Sequence, residues 1–145
     1  MGCGVSRERD AVTVSRAGGL AGIDADLHDM PDVAPTLAVV AAFATGRTRV
    51  RGVPNLRMKE SDRIAAICAE LRRIGVRAEE HPDGFEMEGG SPRAAAVETY
   101  DDHRIAMSFA LAGLKVPGVS IRNPGCVSKT WPDFFERLDE ATRPR

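Results

Sequence analysis

Residues 55–63 read NLRMKESDR and lead directly into a segment whose apolar residues recur at helical spacing. This apolar stripe consists of Ile64, Ile67, Leu71 and Ile74. It predicts a helix over residues 62–74 that ends at Gly75. Lys59 and Arg63 therefore lie at a predicted helix start, where the aligned peptide dipoles place about +0.5 of an elementary charge. Because cations are disfavoured there unless an anion lies between, we expect both residues to contact an anionic partner.

Basic residues also occur at two further predicted helix starts. Arg104 closes the run DDHR at residues 101–104, and Lys129 lies in SKTWP at residues 128–132. Backbone N–H groups at a helix N-terminus and basic side chains bind phosphate and carboxylate together. The repetition indicates that several helix N-termini converge on a ligand that carries more than one negative group.

Four segments of the chain resemble the signature segments of the 5-enolpyruvylshikimate-3-phosphate (EPSP) synthase family, also called 3-phosphoshikimate 1-carboxyvinyltransferases. In chain order, which is also the family's order, they are DLHDMPD at 26–32, NLRMKESDR at 55–63, TYDDHRIAM at 99–107 and GCVSKTWPDFF at 125–135. The resemblance begins near residue 12 and covers only the C-terminal third or so of such an enzyme.

The resemblance implies an α/β (α+β) fold. Members of that family have two similar domains built from repeated βαβαββ units, with helices inside and sheets outside, as an inside-out α/β barrel. We expect residues 12–145 to form the C-terminal portion of one such domain, with about two units. Residues 1–11 show no periodicity and are expected to be a disordered lead.

Apolar and turn patterns predict the individual elements independently of the resemblance. The predicted strands cover residues 12–15, 22–27, 48–53, 76–80, 85–88 and 119–121. The predicted helices cover residues 33–44, 62–74, 102–112 and 130–138. In the last helix, Thr130 and Asp133 have the spacing of a capping box.

Composition excludes several classes of protein. The chain has 145 residues, 43% hydrophobic and 28% charged, with a net charge of -1, which argues against a nucleic-acid binder. Its 3 cysteines lack metal-ligand spacing, so neither a zinc site nor a disulfide framework is predicted. No apolar run approaches the roughly 20 residues that span a bilayer, and no signal-peptide core is present. We therefore expect a protein of the reducing cytoplasm with no membrane partner.

Two carboxylates are candidates for proton transfer. Asp32 either accepts or orients a substrate hydroxyl proton or caps the predicted helix at Val33. The resemblance implies the first role, with Asp32 contacting the shikimate hydroxyls as a candidate base. Glu60 either makes weak surface ion pairs or transfers protons, and the resemblance assigns it to the enolpyruvyl methylene carbon.

Five further residues are candidates for substrate binding. The resemblance implies that Asn55 and Lys59 hold the phosphorylated shikimate. It also implies that Arg63 and Arg104 grip the phosphoenolpyruvate carboxylate, for which the guanidinium fork is well shaped. Lys129 is expected near the departing phosphate. The alternative for each basic residue is a solvated surface cation.

His103 is expected to support this site, either as a proton relay or by orienting Arg104. Together, Asp32, Lys59, Glu60, Arg63, Arg104 and Lys129 are expected to gather on one rim.

The resemblance implies transfer of the enolpyruvyl group from phosphoenolpyruvate to the 5-hydroxyl of shikimate 3-phosphate, with release of phosphate. It implies no metal or organic cofactor. The expected partners are the two substrates and an N-terminal domain that has no counterpart in this sequence. Two alternatives remain open, namely a catalytically incompetent anion-binding fragment and an inherited structural domain.

Overall fold

The computed structural model describes residues 1–16 and 18–143 and shows a mixed α/β fold. Its strands are β1 (Cys3–Arg7), β2 (Val12–Arg16), β3 (Asp24–Asp26), β4 (Gly46–Arg51), β5 (Arg77–His81), β6 (Gly84–Gly89), β7 (Ala96–Val97) and β8 (Ser120–Ile121). Its α-helices are α1 (Ala34–Ala41), α2 (Arg63–Arg73), α3 (His103–Gly113) and α4 (Phe134–Thr142). Short 3₁₀ helices cover Pro31–Val33, Pro54–Met58 and Pro124–Lys129. The predicted fold class is therefore confirmed.

One βαβαββ sequence accounts for the main sheet. Its strands lie in the order β3-β4-β6-β5, with β3 parallel to β4 and the other two pairs antiparallel. The antiparallel pair β5–β6 is the hairpin predicted around residues 81–84. Next along the chain come β7, α3, β8 and α4, and β7 pairs parallel with β8. The described chain thus contains one complete βαβαββ sequence and a second that stops after its fourth element.

The main sheet has one buried face and one solvated face. On β4, Thr48 and Val50 are buried, and on β6, Phe85 and Met87 are buried. Side chains alternate between the two faces of a strand, so neighbours such as Arg47 point to solvent. Because of this alternation, strands of the main sheet can be predicted from the sequence.

Helices cover the buried face. α1 is nearly uniform in small apolar residues, and it packs against α3, whose Ile105 and Phe109 are fully buried. α2 packs against β5 and buries the stripe predicted for it, with Ile67 and Leu71 fully covered. The result is one main core that fixes the N-terminal ends of α2 and α3 beside each other.

The first residues differ from the predicted disordered lead over 1–11. β1 pairs with β2 in a regular antiparallel ladder from Cys3 to Arg7. All its side chains are exposed, so the strand leaves no burial pattern for periodicity to detect. Positions 17, 144 and 145 of the predicted 12–145 domain lie outside the described residues.

The last helix begins later than predicted. α4 starts at Phe134 instead of Thr130, and no capping-box hydrogen bond forms. Thr130 closes the preceding 3₁₀ turn by donating its N–H to the Val127 carbonyl. Pro132 disfavours helical geometry in the residue before it, which separates the 3₁₀ helix from α4. Lys129 therefore lies at the end of a 3₁₀ helix and not at a helix N-terminus.

Among residues 1–16 and 18–143, no helix combines the length and the apolar character needed to cross a bilayer.

Candidate active site

Arg63 is the centre of a cluster of ion pairs. It is the first residue of α2, after the N-cap Asp62, and its side chain is only 2% exposed. Its Nε donates to Asp102 at 2.7 Å, its Nη1 to Asp32 at 2.9 Å, and its Nη2 to Glu60 at 2.7 Å. A buried cation is tolerated only when its donors are satisfied, and three carboxylates satisfy them here.

These contacts identify the anions that lie beside Arg63 at the start of α2. The anions expected near Arg63 are carboxylates of the same chain. A second bond from Nη2 to Asp102, at 3.2 Å, brings the donors in use to 4 of the five that a guanidinium carries. Arg63 thus orients Asp32 and Glu60, and its predicted contact with a ligand carboxylate stays a prediction.

Asp32 bridges two arginines. Its Oδ1 accepts from Arg63, and its Oδ2 lies 3.0 Å from Nη2 of Arg104. Asp32 belongs to the 3₁₀ helix Pro31–Val33, and Val33 is the N-cap of α1 without any side-chain capping bond. The alternative reading of Asp32 as a helix cap is therefore wrong, and the carboxylate faces the cluster.

Glu60 bridges Arg63 and Lys129. Its Oε1 accepts from Nζ of Lys129 at 2.6 Å, and its own side chain is 26% exposed. The hydrogen bond from Lys129, with help from the charge of Arg63, lowers the pKa of Glu60 to about 2 despite opposing desolvation. Glu60 is accordingly a carboxylate at neutral pH and stays ionised even in moderately acidic solution.

Asp102 was not singled out from the sequence, yet it is fully buried. It caps α3 by accepting the N–H of Arg104 at 2.9 Å, and it also accepts from Ser61 Oγ at 3.0 Å. Together with Arg63 it joins the N-terminus of α2 to the N-terminus of α3. The signal available in the sequence was its place directly before a predicted helix, which is typical of an N-cap.

His103 lies beside the cluster in α3. Its side chain is almost fully buried, and Nδ1 has no hydrogen-bond partner among the described residues. Burial lowers the pKa of His103, an effect that the nearby carboxylates Asp102 and Glu60 only partly oppose. The ring is neutral at pH 7, and its supporting role stays a prediction.

The structure does not join the other two predicted site residues to the cluster. Lys59 is exposed in the loop that carries Glu60, and Asn55 is exposed in the 3₁₀ helix Pro54–Met58 just before that loop. No ion pair or side-chain hydrogen bond of the described chain includes either of them. Of the six side chains expected on one rim, ion pairs connect Asp32, Glu60, Arg63, Arg104 and Lys129. We refer to these five residues and Asp102 as the ion-pair cluster.

An open groove of about 200 Å³ runs along one side of the ion-pair cluster. Asp32 and Arg104 form its polar end, and Met107, Leu111 and Trp131 contribute apolar surface. Of the cluster's cations, Arg104 lines this groove with 37% of its side chain exposed, and Lys129 is exposed by 60%.

The profile of one protein family matches nearly the whole chain. The family is described as EPSP synthase (3-phosphoshikimate 1-carboxyvinyltransferase), and the match covers residues 1–138. The chain belongs to the EPSP synthase family.

Individual EPSP synthases agree with this assignment. The 3-phosphoshikimate 1-carboxyvinyltransferase of Nostoc punctiforme is 48% identical over 138 residues, which cover 95% of this chain and 32% of that protein. The enzyme of the same name from Syntrophobacter fumaroxidans is 49% identical over 143 residues, covering 97% of this chain and 34% of that protein. The chain spans about a third of the length of the curated relatives it matches.

A solved EPSP synthase structure has the same fold. The enzyme from Acinetobacter baumannii superposes with a TM-score of 0.82 at 31% identity, over 96% of this chain and 36% of that one. The enolpyruvyl transferase NikO from Streptomyces tendae gives a TM-score of 0.75 at 24% identity, over 97% of this chain and 32% of that one. The second likeness concerns the fold alone.

Proposed function

We propose that this chain works as part of a larger two-domain enzyme that transfers the enolpyruvyl group of phosphoenolpyruvate to the 5-hydroxyl of shikimate 3-phosphate. The observation that carries the proposal is the ion-pair cluster, in which two partly exposed cations each lie against a carboxylate held by buried Arg63. Such a site offers cations for anionic substrates and carboxylates for proton transfer within a single network.

Arg104 and Lys129 are the two cations of the ion-pair cluster that are available to substrates. Both are partly exposed, and each is held by one carboxylate of the chain, Arg104 by Asp32 and Lys129 by Glu60. An anionic ligand can replace the carboxylate as the partner of either cation, so the cation is never left unpaired. In this scheme Arg104 takes the carboxylate of phosphoenolpyruvate and Lys129 takes its phosphate.

Binding of the ligand would also prepare Glu60. The hydrogen bond from Lys129 is the largest cause of the low pKa of Glu60, so transfer of Lys129 to the substrate phosphate raises that pKa. This rise toward the ordinary carboxyl value of 4.5 increases the protonated fraction of Glu60, and only the protonated form can donate a proton. Glu60 then delivers a proton to C3 of phosphoenolpyruvate and later removes one.

In this proposal, the other proton transfer is assigned to Asp32. It accepts the proton of the 5-hydroxyl as the hydroxyl oxygen bonds to C2 of phosphoenolpyruvate. The tetrahedral adduct then loses phosphate from C2 and a proton from C3, which restores the double bond. Arg63 keeps both carboxylates in position during these steps, since it is buried and contacts each of them.

Asn55 and Lys59 are the proposed contacts for shikimate 3-phosphate. Their exposure within five residues of Glu60 in the sequence, together with the lack of an ion pair to Lys59 in the described chain, supports this role. The remaining substrate contacts are assigned to a second domain, in keeping with the greater length of the relatives. The three free cysteines Cys3, Cys68 and Cys126 support a location in the reducing cytoplasm.

The test is release of inorganic phosphate from shikimate 3-phosphate and phosphoenolpyruvate. We expect no turnover from the chain alone and turnover when it is mixed with the N-terminal two-thirds of a close relative such as the Nostoc punctiforme enzyme. Glu60→Gln in the same mixture should abolish release, whereas Glu79→Gln, on the distant strand β5, should not.

A second candidate function is anion binding without catalysis, which is favoured by the short span of the chain relative to its relatives. In that case the chain binds phosphoenolpyruvate but releases no phosphate with any complementing domain. Phosphate release from the mixture would exclude this candidate.

A further inference from the structure

An unusual backbone turn precedes the ion-pair cluster in the chain. Tyr100 and Asp101 have φ angles of 55° and 56°, and the N–H of Asp102 donates to the carbonyl of Thr99 at 2.8 Å. These are the features of a type I′ turn, which usually contains Gly, Asn or Asp. A bulky aromatic residue with positive φ is an outlier that its surroundings must hold in place.

A buried carboxylate on α2 holds this turn. Glu70 is fully buried, its Oε1 accepts from the Tyr100 hydroxyl at 2.7 Å, and its Oε2 accepts from the N–H of Glu98 at 3.0 Å. Arg73 Nε lies 2.8 Å from Oε2 and balances the charge. Two hydrogen bonds therefore attach the segment before Asp102 to the helix that begins at Arg63.

We propose that Glu70, acting through Tyr100, is a positioning residue for the active site, because it fixes the turn that places Asp102 against Arg63. This inference rests on the proposed function, since the site it serves is the one described above. Glu70 touches neither the proposed substrates nor the ion-pair cluster, and its effect passes through the backbone of residues 98–102. Asn123 supports the same turn by donating from Nδ2 to Asp101 at 3.0 Å.

The hydrogen bond from the Tyr100 hydroxyl to Glu70 does not depend on pH in the physiological range. Burial, and then the hydrogen bond to the carboxylate of Glu70, raise the pKa of Tyr100 to about 12. The phenol therefore stays a hydrogen-bond donor throughout the physiological pH range. A hydrogen bond to a charged acceptor is also stronger than one between neutral groups.

The decisive variant is Tyr100→Phe, which keeps the ring and the backbone strain but removes the donor. We expect amide hydrogen exchange at residues 98–104 to become about tenfold faster, as loss of a bond to a charged group predicts. Solvent exchange of the Arg63 Nε–H, which reports its bond to Asp102, should also become faster. Affinity for phosphoenolpyruvate, measured by calorimetry, should fall severalfold.

Ile67→Val is the matched control because it removes a methyl group from the core side of the same helix. It should leave the exchange at residues 98–104 and at Arg63 Nε unchanged. Glu70→Gln should act in the same direction as Tyr100→Phe, and the double variant should be no worse than Glu70→Gln alone. Equal exchange in Tyr100→Phe and Ile67→Val would overturn the proposal.

The two proposals fail differently. If the chain binds no phosphoenolpyruvate, the proposed function fails, while faster exchange at residues 98–104 and at Arg63 still supports the positioning role of Glu70. If the wild-type chain binds phosphoenolpyruvate and Tyr100→Phe matches Ile67→Val in exchange, only the positioning role is lost.

Discussion

Two groups of ion pairs in this molecule use the same side-chain types in opposite surroundings. On the outer face of the main sheet, Arg51 pairs with Asp26 at 2.6 Å, and both side chains are 46% exposed. In the ion-pair cluster, Arg63 pairs with Asp102 at 2.7 Å, and their exposures are 2% and 0%. The two distances are nearly equal, and the pairs differ in burial. The exposed pair can be replaced at little cost, whereas the site depends on the buried pair.

The difference shows why the cluster is organised around Arg63. A surface pair contributes about 0–1 kcal/mol because water and salt screen it. A buried charge that loses its partner carries an uncompensated desolvation penalty of several kcal/mol. Substitution in an outer pair should therefore cost little stability. Arg63, Asp102 and the carboxylates that Arg63 contacts depend on one another, so loss of one should affect the others.

Arg63→Ala should therefore have the largest effect on stability. It leaves Asp102 buried without its cation, and we expect a loss of about 3–5 kcal/mol in the free energy of unfolding. Equilibrium unfolding in urea measures the loss. A decrease below about 1 kcal/mol would show that the buried pair behaves like the surface pairs.

Substitution of Lys129, the more exposed of the two accessible cations of the cluster, should mainly affect ligand binding. Lys129→Ala removes one charge-assisted contact to the substrate phosphate, and we expect about a tenfold loss of affinity for phosphoenolpyruvate. Lys115→Ala, which removes an exposed lysine in the turn after α3 without any role in the cluster, is the control. Equal affinities of the two variants, measured by calorimetry, would rule out the proposed phosphate contact.

Lys129→Ala should also change how stability depends on pH. The pKa of Glu60 is lowered from 4.5 to about 2, so this group stabilises the fold above pH 4.5 and loses that contribution as pH falls toward 2. Because Lys129 is mostly exposed, we expect the contribution to be only on the order of 1 kcal/mol after screening.

Unfolding in urea at pH 7 and at pH 2.5 measures this effect. The stability difference between wild type and Lys129→Ala should be full at pH 7 and clearly smaller at pH 2.5, because Glu60 is then protonated in the unfolded chain, while the folded wild type gives up its carboxylate only nearer pH 2. A difference that is the same at both pH values would mean that Lys129 does not set the pKa of Glu60.

Arg51→Ala should have the smallest effect. We expect the urea midpoint of unfolding and the affinity for phosphoenolpyruvate to remain close to the wild-type values, because water and salt screen an exposed pair. A large loss of stability would remove the contrast between the outer face and the ion-pair cluster.

Much of the fold was predictable because burial leaves a period in the sequence. The stripe along α2 and the alternation on β4 were found in this way, whereas the hairpin at 81–84 was predicted from its turn-forming residues. β1 was missed because it is held by backbone hydrogen bonds and buries no side chain. The start of α4 was misplaced because a 3₁₀ helix and Pro132 intervene.

The candidate site was only partly predictable. The motifs indicated most of the charged residues, but not which of them pair, since the contacts join residues 31, 39 and 69 positions apart. The buried position of Asp102 and the left-handed backbone at Tyr100 depend on that tertiary arrangement. Local propensity gives no sign of either.

The most direct test of the account is the pKa of Glu60, followed by carbon-13 NMR of its carboxyl group with and without phosphoenolpyruvate and shikimate 3-phosphate. We predict a pKa of about 2 in the free chain and a clear rise when the ligands draw Lys129 away. A pKa that stays at about 2 with the ligands bound would contradict the proposed exchange of ion pairs.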